Sequence, residues 1–186
     1  MNWKIILVLA GYFLISYLLH LWAKKRKRNK VLKTANDKDS VVFDKAEYHI
    51  QDAIESGFEE DQAHLHIGFY LSWLIKNGLI VNDFDFDLLT YRKNIIEHVG
   101  TPCDFSFDID GVLSGEILTK DGYLFTDYFY NSETGYYLEE YECLLIKEDQ
   151  EIYEVENTWT NFNKIEQLID DYYSNWVEKN FGMPKY

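Results

Sequence analysis

The chain has 186 residues, and its 18 Lys and Arg against 32 Asp and Glu give a formal net charge of −14. Apolar residues make up 47% and aromatic residues 17%, which excludes a disordered or low-complexity chain and supplies enough material for one hydrophobic core. Because an acidic body repels phosphate, the composition also argues against general nucleic-acid binding.

The first segment has the features of a membrane anchor. Residues 5–23 read IILVLAGYFLISYLLHLWA, without a charged residue, and as a helix they would span roughly 28 Å, close to the thickness of a bilayer core. Seven Lys or Arg follow between residues 24 and 33, with no cleavage signal, which favours an uncleaved anchor over a signal peptide. The positive-inside rule then predicts a single-pass membrane protein with its N-terminus outside and its C-terminal domain in the cytoplasm.

Charge divides the chain into parts of opposite sign. Residues 1–40 carry a net charge of +7, whereas residues 41–186 carry −21. We therefore predict a transmembrane anchor at residues 1–23, a basic juxtamembrane linker at residues 24–40 and an acidic soluble domain at residues 41–186. In a cytoplasmic domain, Cys103 and Cys143 are expected to be reduced thiols.

The first half of the acidic domain is predicted to be helical. The sequence DKAE at residues 44–47 is typical of a capping box and would begin a short helix that ends near Gly57. Residues 59–78 place acids in the first turn and then apolar residues at helical spacing, which predicts a core helix ending at Gly78. Asp85 or Asp87 would then cap a third helix.

The second half is less regular until the final helix. Glycines divide residues 101–122 into short turns with one helical piece, and residues 151–158 alternate as in a short strand. Apolar residues recur every three or four positions over residues 162–179, which predicts an amphipathic helix. The fold class predicted for the soluble domain is therefore mainly α, with a minor strand component.

Histidines form one group of ligand-type residues. His64 and His66 follow three acids, and His49 lies upstream. Residues two apart on a helix point to different faces, so this pair does not favour a metal site, and we predict no metal and no cofactor. One of the two is expected to be buried and hydrogen-bonded, and the other exposed.

Other catalytic and metal-binding patterns are incomplete. The acids before Gly111 resemble part of a calcium loop, but the loop's Glu at position twelve is replaced by Ile117. Asp104, Asp108 and Asp110 are therefore interpreted as turn and cap carboxylates. The chain also contains no nucleophile-elbow, P-loop, dinucleotide-binding or zinc-protease motif, so no catalytic residue is assigned and an enzyme is not expected.

Residues 127–142 combine tyrosines with carboxylates. Tyrosine is an effective interface anchor and carboxylates give fast docking to a basic partner, so we predict a partner-binding stretch, while the alternative is that half of these tyrosines belong to the core. The predicted partner-binding residues are Asp127, Tyr128, Tyr130, Glu133, Tyr136, Tyr137, Glu139, Glu140, Tyr141 and Glu142.

Three blocks carry a family resemblance. They are FDKAEYHI at residues 43–50, HIGFYLSWLIKNGLI at residues 66–80 and YEVENTWTNFNKIEQLIDDYYSNW at residues 153–176. Together they resemble a bacterial family of unknown function, often associated with polymorphic-toxin and type VI secretion loci, whose members carry D-K-A-E-x-H, H-x-G-x-x-x-x-W-x-x-x-x-G-L and W-x-N-[YF] motifs. The resemblance implies an immunity protein. It implies no catalytic residue, so His49, His66, Trp73 and Trp159 are interpreted as structural.

The expected function follows from the anchor, the acidic domain and the resemblance. We expect an immunity protein, tethered to the inner membrane through residues 5–23, that binds and occludes a cognate toxin domain. The alternatives are a membrane-anchored, metal-dependent hydrolase that uses His49, His64 and His66, and a scaffold of an envelope complex. The oligomeric state and the chemistry of the toxin stay open.

Overall fold

The computed structural model describes residues 41–82, 87–131, 135–148 and 150–181. These residues form seven α-helices, two short 3₁₀ helices and one two-stranded sheet, which confirms the mainly α prediction with a minor strand component for this part of the chain. The elements in chain order are β1 (Val42–Lys45), α1 (Glu47–Glu55), the 3₁₀ helix Glu60–His64, α2 (Leu65–Lys76), α3 (Leu88–Glu97), α4 (Asp104–Asp108), β2 (Val112–Ser114), α5 (Lys120–Phe129), α6 (Tyr137–Leu145), the 3₁₀ helix Ile152–Glu154 and α7 (Trp159–Phe181).

Helix α2 is the centre of the core. Every residue from 65 to 75 is buried, and α3, α4 and α7 all pack against this helix. A helix that is apolar on all sides needs neighbours all around it. Its polar atoms are paired across the core: the Trp73 indole N–H donates to Asp170 Oδ1 on α7 at 2.7 Å, and the hydroxyls of Tyr70 and Thr126 lie 3.1 Å apart.

One glycine fixes the distance between α2 and α4. A Cβ on Gly68 would lie 2.4 Å from Sγ of Cys103, the buried residue that precedes α4. No real Cβ approaches a heavy atom so closely, so a larger residue at position 68 would push the two helices apart.

The sheet brings distant parts of the chain together. Strands β1 and β2 are antiparallel, with Asp44 opposite Leu113 and Lys45 opposite Val112. The predicted capping box at residues 44–47 is therefore wrong. Helix α1 begins after Ala46 without a side-chain cap, and Asp44 belongs to the preceding strand. A strand whose partner lies about 70 residues later leaves no local signal in the sequence.

The C-terminal part differs from the prediction in one element. The strand predicted at residues 151–158 is wrong, because a reciprocal capping box between Glu151 and Glu154 closes a 3₁₀ turn there. The buried ring of Tyr153 packs with Ala53 and Ala63 instead of facing a strand partner. The final amphipathic helix is confirmed and is longer than predicted, since α7 runs from Trp159 to Phe181.

The structure corrects the predicted membrane location. Among the helices of the described ranges, none is long and apolar enough to cross a bilayer. Helix α2 is strongly apolar but has 12 residues, about 18 Å at 1.5 Å per residue, and the 23-residue α7 carries charged side chains such as Lys164 and Asp171. The single-pass inner-membrane assignment is therefore not retained. The predicted anchor and linker, residues 1–23 and 24–40, lie outside the described residues.

Candidate functional site

Three ligand-type side chains from three elements meet at the edge of the core. Asp44 lies in β1, His49 near the start of α1 and His66 near the start of α2. The Nε2 atom of His49 lies 2.8 Å from Asp44 Oδ1, and the Nε2 atom of His66 lies 3.2 Å from Asp44 Oδ2. One ligand atom from each of the three residues lies within 4.8 Å of the other two. We call these three residues the Asp44 cluster.

The carboxylate of Asp44 accepts four hydrogen bonds inside the protein. Besides the two imidazoles, Oδ1 accepts from the backbone N–H of Lys45 at 2.8 Å, and Oδ2 accepts from the hydroxyl of Tyr130 at 2.7 Å. An ionised carboxylate only accepts and has about four lone-pair sites, so each imidazole donates from Nε2 and the carboxylate is fully occupied. This occupancy explains how a side chain that is 8% exposed keeps its charge.

Burial and hydrogen bonding shift the pKa values of the cluster. Burial acts to raise the pKa of Asp44, but the hydrogen bonds from His49, His66 and Tyr130 outweigh it and hold that pKa well below its ordinary value. Burial lowers the pKa of His66, although the neighbouring Asp44 opposes the shift. At neutral pH, the cluster therefore combines an ionised carboxylate with a neutral buried imidazole, which is the protonation state in which both groups bind metal ions.

Tyrosines from the second half of the chain enclose the cluster. The Tyr137 hydroxyl donates to the backbone oxygen of His66 at 2.7 Å, and its ring stacks on that of Tyr130 at 4.8 Å. Burial raises the pKa of both hydroxyls well above the ordinary value, so both remain donors. The ring of Tyr141 lies 6.3 Å from that of His66, and its buried hydroxyl has no hydrogen-bond partner among the described residues. His49, whose side chain is 27% exposed, lies on the solvent side.

The family to which the chain belongs is identified by its sequence. The model of a domain of unknown function, DUF7832, matches residues 42–155, from β1 to the second 3₁₀ helix. The chain belongs to the DUF7832 family. No curated protein and no solved structure matches the chain significantly. The match bears out the resemblance to a family of unknown function, and its description names neither a toxin nor a secretion locus.

The histidines of this DUF7832 domain confirm the prediction in part: one is buried and hydrogen-bonded, but the other is half-buried and not exposed. His66 is buried at Asp44, whereas His64 is half-buried on another side, where its ring packs against Phe107 and its Nδ1 lies 3.5 Å from the hydroxyl of Ser106. The spacing of His64 and His66 does not favour a metal site on that pair. The structure instead brings His66 together with His49 and with Asp44, a carboxylate predicted to belong to a helix cap.

Among the acids before Gly111, Asp104 has the predicted local role, but Asp108 contacts a distant helix. Asp104 accepts from the backbone N–H of Thr101 at 3.1 Å, and Asp108 accepts from the hydroxyl of Tyr91. The contact of Asp104 is a local turn contact, whereas the contact of Asp108 joins two residues that lie 17 positions apart.

The predicted partner-binding residues lie in two different environments. Tyr130, Tyr137 and Tyr141 are buried and belong to the wall of the Asp44 cluster, so they offer no surface to a partner. Tyr128 and Tyr136 are 37% and 44% exposed. Four of the predicted carboxylates are exposed or half-buried: Asp127, Glu139, Glu140 and Glu142. Glu133 lies outside the described residues.

The exposed members form a continuous surface with α7. The rings of Tyr128 and Tyr136 lie 6.1 Å apart, Tyr136 stacks on Tyr172 at 6.1 Å, and the hydroxyl of Tyr172 donates to Glu140. Glu139 and Glu142 project from the exposed side of the same helix, α6. We call this surface the tyrosine–carboxylate face; its members are Tyr128, Tyr136, Glu139, Glu140, Glu142 and Tyr172. A groove whose charged lining residues are Glu142, Lys147, Glu148 and Glu151 adjoins this face at Glu142.

Proposed function

We propose that this DUF7832 domain is an immunity protein that binds the toxic domain of a cognate polymorphic or type VI effector and blocks it. The observation that carries the proposal is the tyrosine–carboxylate face, where exposed aromatic rings adjoin carboxylates that form no ion pair with a Lys, Arg or His of the described ranges. The class of partner, a toxin domain, comes from the motif resemblance.

The chemistry of this face suits a basic protein surface. Tyrosine gives a large contact area for little loss of side-chain freedom, and interface hot spots are enriched in it. The net charge of −21 on residues 41–186 would attract a cationic partner and speed the encounter. Glu139 and Glu142 would then pair with Lys or Arg at the rim, and Tyr136 would fill the desolvated centre.

The proposed mechanism is occlusion. A toxin that acts on a polyanionic substrate needs basic residues to hold it. Carboxylates that pair with those residues would occupy the substrate's place, so inhibition would need no chemical step and no cofactor.

Growth rescue tests the proposal. The toxin encoded next to this gene is expressed with the wild-type chain or with the double variant Glu139→Lys, Glu142→Lys. We expect the wild type to restore growth and the double variant to bind at least tenfold more weakly, as measured by calorimetry on the purified pair.

The control reverses two charges elsewhere. Glu55 and Glu97 are exposed and end α1 and α3, where a lysine suits the helix dipole. The variant Glu55→Lys, Glu97→Lys has the same net charge as the test variant, so it should rescue growth as the wild type does. If both double variants lose rescue equally, net charge alone is responsible and the assigned face is wrong.

A metal-dependent hydrolase is a second candidate, and the Asp44 cluster is the observation that favours it. Two imidazoles and a carboxylate are a ligand set that metallohydrolases use. The test is zinc-dependent hydrolysis of an activated phosphodiester or ester by the purified chain, compared with His49→Ala. Equal rates for the two proteins would exclude this cluster as a catalytic centre for those substrates.

A further inference from the structure

We propose that Asp44, His49 and His66 form a binding site for one divalent transition-metal ion of the zinc class. The site is independent of toxin binding, because it lies in the Asp44 cluster and not on the tyrosine–carboxylate face.

The spacing of the ligand atoms is close to that of a metal centre. Zinc bonds of about 2.0–2.1 Å at a tetrahedral angle place neighbouring ligand atoms about 3.4 Å apart. The contacts of His49 and His66 with Asp44 are 2.8 and 3.2 Å, and all three ligand atoms lie within 4.8 Å of one another. Small side-chain rotations are therefore sufficient to direct all three atoms at one ion.

A bound ion would replace two of the four hydrogen bonds that the Asp44 carboxylate accepts, and the other two would hold the carboxylate in place. An ion would take the place of the two Nε2 protons, and each imidazole would then carry its proton on Nδ1. The backbone N–H of Lys45 and the hydroxyl of Tyr130 would continue to donate to Asp44. Such donors behind a ligating carboxylate fix its orientation and raise metal affinity.

The ligand types select the metal class. Two imidazole nitrogens and one carboxylate oxygen favour zinc and neighbouring first-row ions over calcium or magnesium, which prefer oxygen ligands. Cys103 adds no ligand, because its Sγ lies 3.8 Å from the carbonyl oxygen of Leu65, and burial raises the pKa of its thiol well above the ordinary value.

The surroundings of the proposed site hold two of its ligands rigidly, leave the third open to solvent and include a buried hydroxyl without a partner among the described residues. Asp44 and His66 are 6% and 2% exposed and are held by a strand and the central helix, whereas the partly exposed His49 gives an ion a path from solvent. The buried Tyr141 hydroxyl, which lacks a partner among the described residues, belongs to a ring packed against His66. A water on the ion is one group that such a hydroxyl could bind.

Metal titration of the full chain, prepared without a polyhistidine tag, tests the site. Zinc is titrated in competition with a chromophoric chelator, and cobalt is used to record the visible spectrum of a low-symmetry nitrogen–oxygen site. We expect one equivalent of zinc with a dissociation constant of micromolar or below, and an upward shift of the wild-type thermal midpoint on zinc addition.

The variants assign the site. His49→Ala changes a partly exposed residue, so the fold should persist while zinc affinity falls at least tenfold and the thermal shift disappears. Asp44→Asn should behave in the same way toward zinc. His98→Asn, an exposed histidine with left-handed backbone that asparagine tolerates, is the matched control and should bind as the wild type does.

Two results would overturn the proposal. One is a wild-type chain that binds less than one equivalent of zinc at micromolar concentrations, which would identify the cluster as a network of hydrogen bonds alone. The other is a folded His49→Ala variant that binds zinc as tightly as the wild type, which would place the ion elsewhere.

Discussion

The Asp44 cluster and the tyrosine–carboxylate face each contain a hydrogen bond from a tyrosine hydroxyl to a carboxylate, but the first bond lies in the interior and the second at the surface. In the cluster, Tyr130 donates to a buried carboxylate; on the face, Tyr172 donates to the partly exposed Glu140. The inner bond replaces water that Asp44 has lost, so removing it leaves a charge unpaired. The outer bond competes with water. Stability should therefore depend on the cluster, and partner binding on the face.

Removal of the buried carboxylate of Asp44 should cause the largest loss in the free energy of unfolding. In Asp44→Ala, the imidazole of His66 and the hydroxyl of Tyr130 lose their acceptor in the interior. We expect the free energy of unfolding to fall by about 3–5 kcal/mol, as for other buried pairs that lose one partner. Urea denaturation measures the loss. The exposed Glu142→Ala is the control, and an equal loss in both variants would contradict the comparison.

Acid should lower the free energy of unfolding through the buried His66 and the half-buried His64 before it affects Asp44. Burial lowers the pKa of His66 below its ordinary value of 6.5, although Asp44 opposes the shift, and His64 shifts in the same direction. Below pH 6.5, the unfolded chain binds protons that the folded chain does not, so stability decreases as pH falls from 7 to 5. Each histidine contributes at most about 1.4 kcal/mol per pH unit.

The Asp44 contribution should disappear at lower pH. Its depressed pKa stabilises the fold above the ordinary value of 3.8, and this contribution is lost as the pH falls below that value.

Urea denaturation of the wild type and of His64→Asn at pH 7, 6 and 5 separates the contributions of the two histidines. If the free energy of unfolding stays constant or increases as the pH is lowered from 7 to 5, His66 is protonated in the folded protein and the prediction is wrong.

Two adjacent tyrosines allow a direct comparison of the regions. Tyr137→Phe removes the donor to the buried backbone oxygen of His66, and we expect a loss of about 1–2 kcal/mol in the free energy of unfolding. Tyr136→Phe removes an exposed hydroxyl and should change that free energy by less than about 0.5 kcal/mol. If the two losses are equal, the hydroxyl of Tyr137 is not what holds α6 against α2.

The smallest effect on stability is expected at the carboxylates of the face. The double variant Glu139→Lys, Glu142→Lys should unfold within about 0.5 kcal/mol of the wild type, since exposed charges contribute little. Its thermal and urea midpoints check this. A large loss would mean that these side chains support α6, and the weaker toxin binding expected of this variant would then have a structural cause.

Local patterns predicted the helices well. The spacing of apolar residues over residues 59–78 predicted the central helix, whose α-helical part is Leu65–Lys76, and the spacing over residues 162–179 predicted α7. Asp87, one of two candidate caps, does accept from the backbone N–H of Thr90. Such features depend on neighbours within four residues, which is why sequence alone contains them. The sheet was missed because its strand partner lies about 70 residues away. The error at residues 151–158 was of another kind: a local capping box between Glu151 and Glu154 closes a 3₁₀ turn where the alternating pattern predicted a strand.

Composition and periodicity determined a mainly helical, acidic domain with an aromatic core, because burial of apolar faces follows from helical spacing. Only the tertiary structure decided what Asp44 does. Its partners His66 and Tyr130 lie 22 and 86 residues away, and no spacing rule connects them. In the folded chain, His66 of α2 and Tyr130, which follows α5, reach the same carboxylate on β1. The same fold leaves Tyr128 and Tyr136 exposed and buries Tyr130 and Tyr137. Hydrogen bonds between distant residues exist only once the core has formed, so the fold, rather than the local sequence, selected the site.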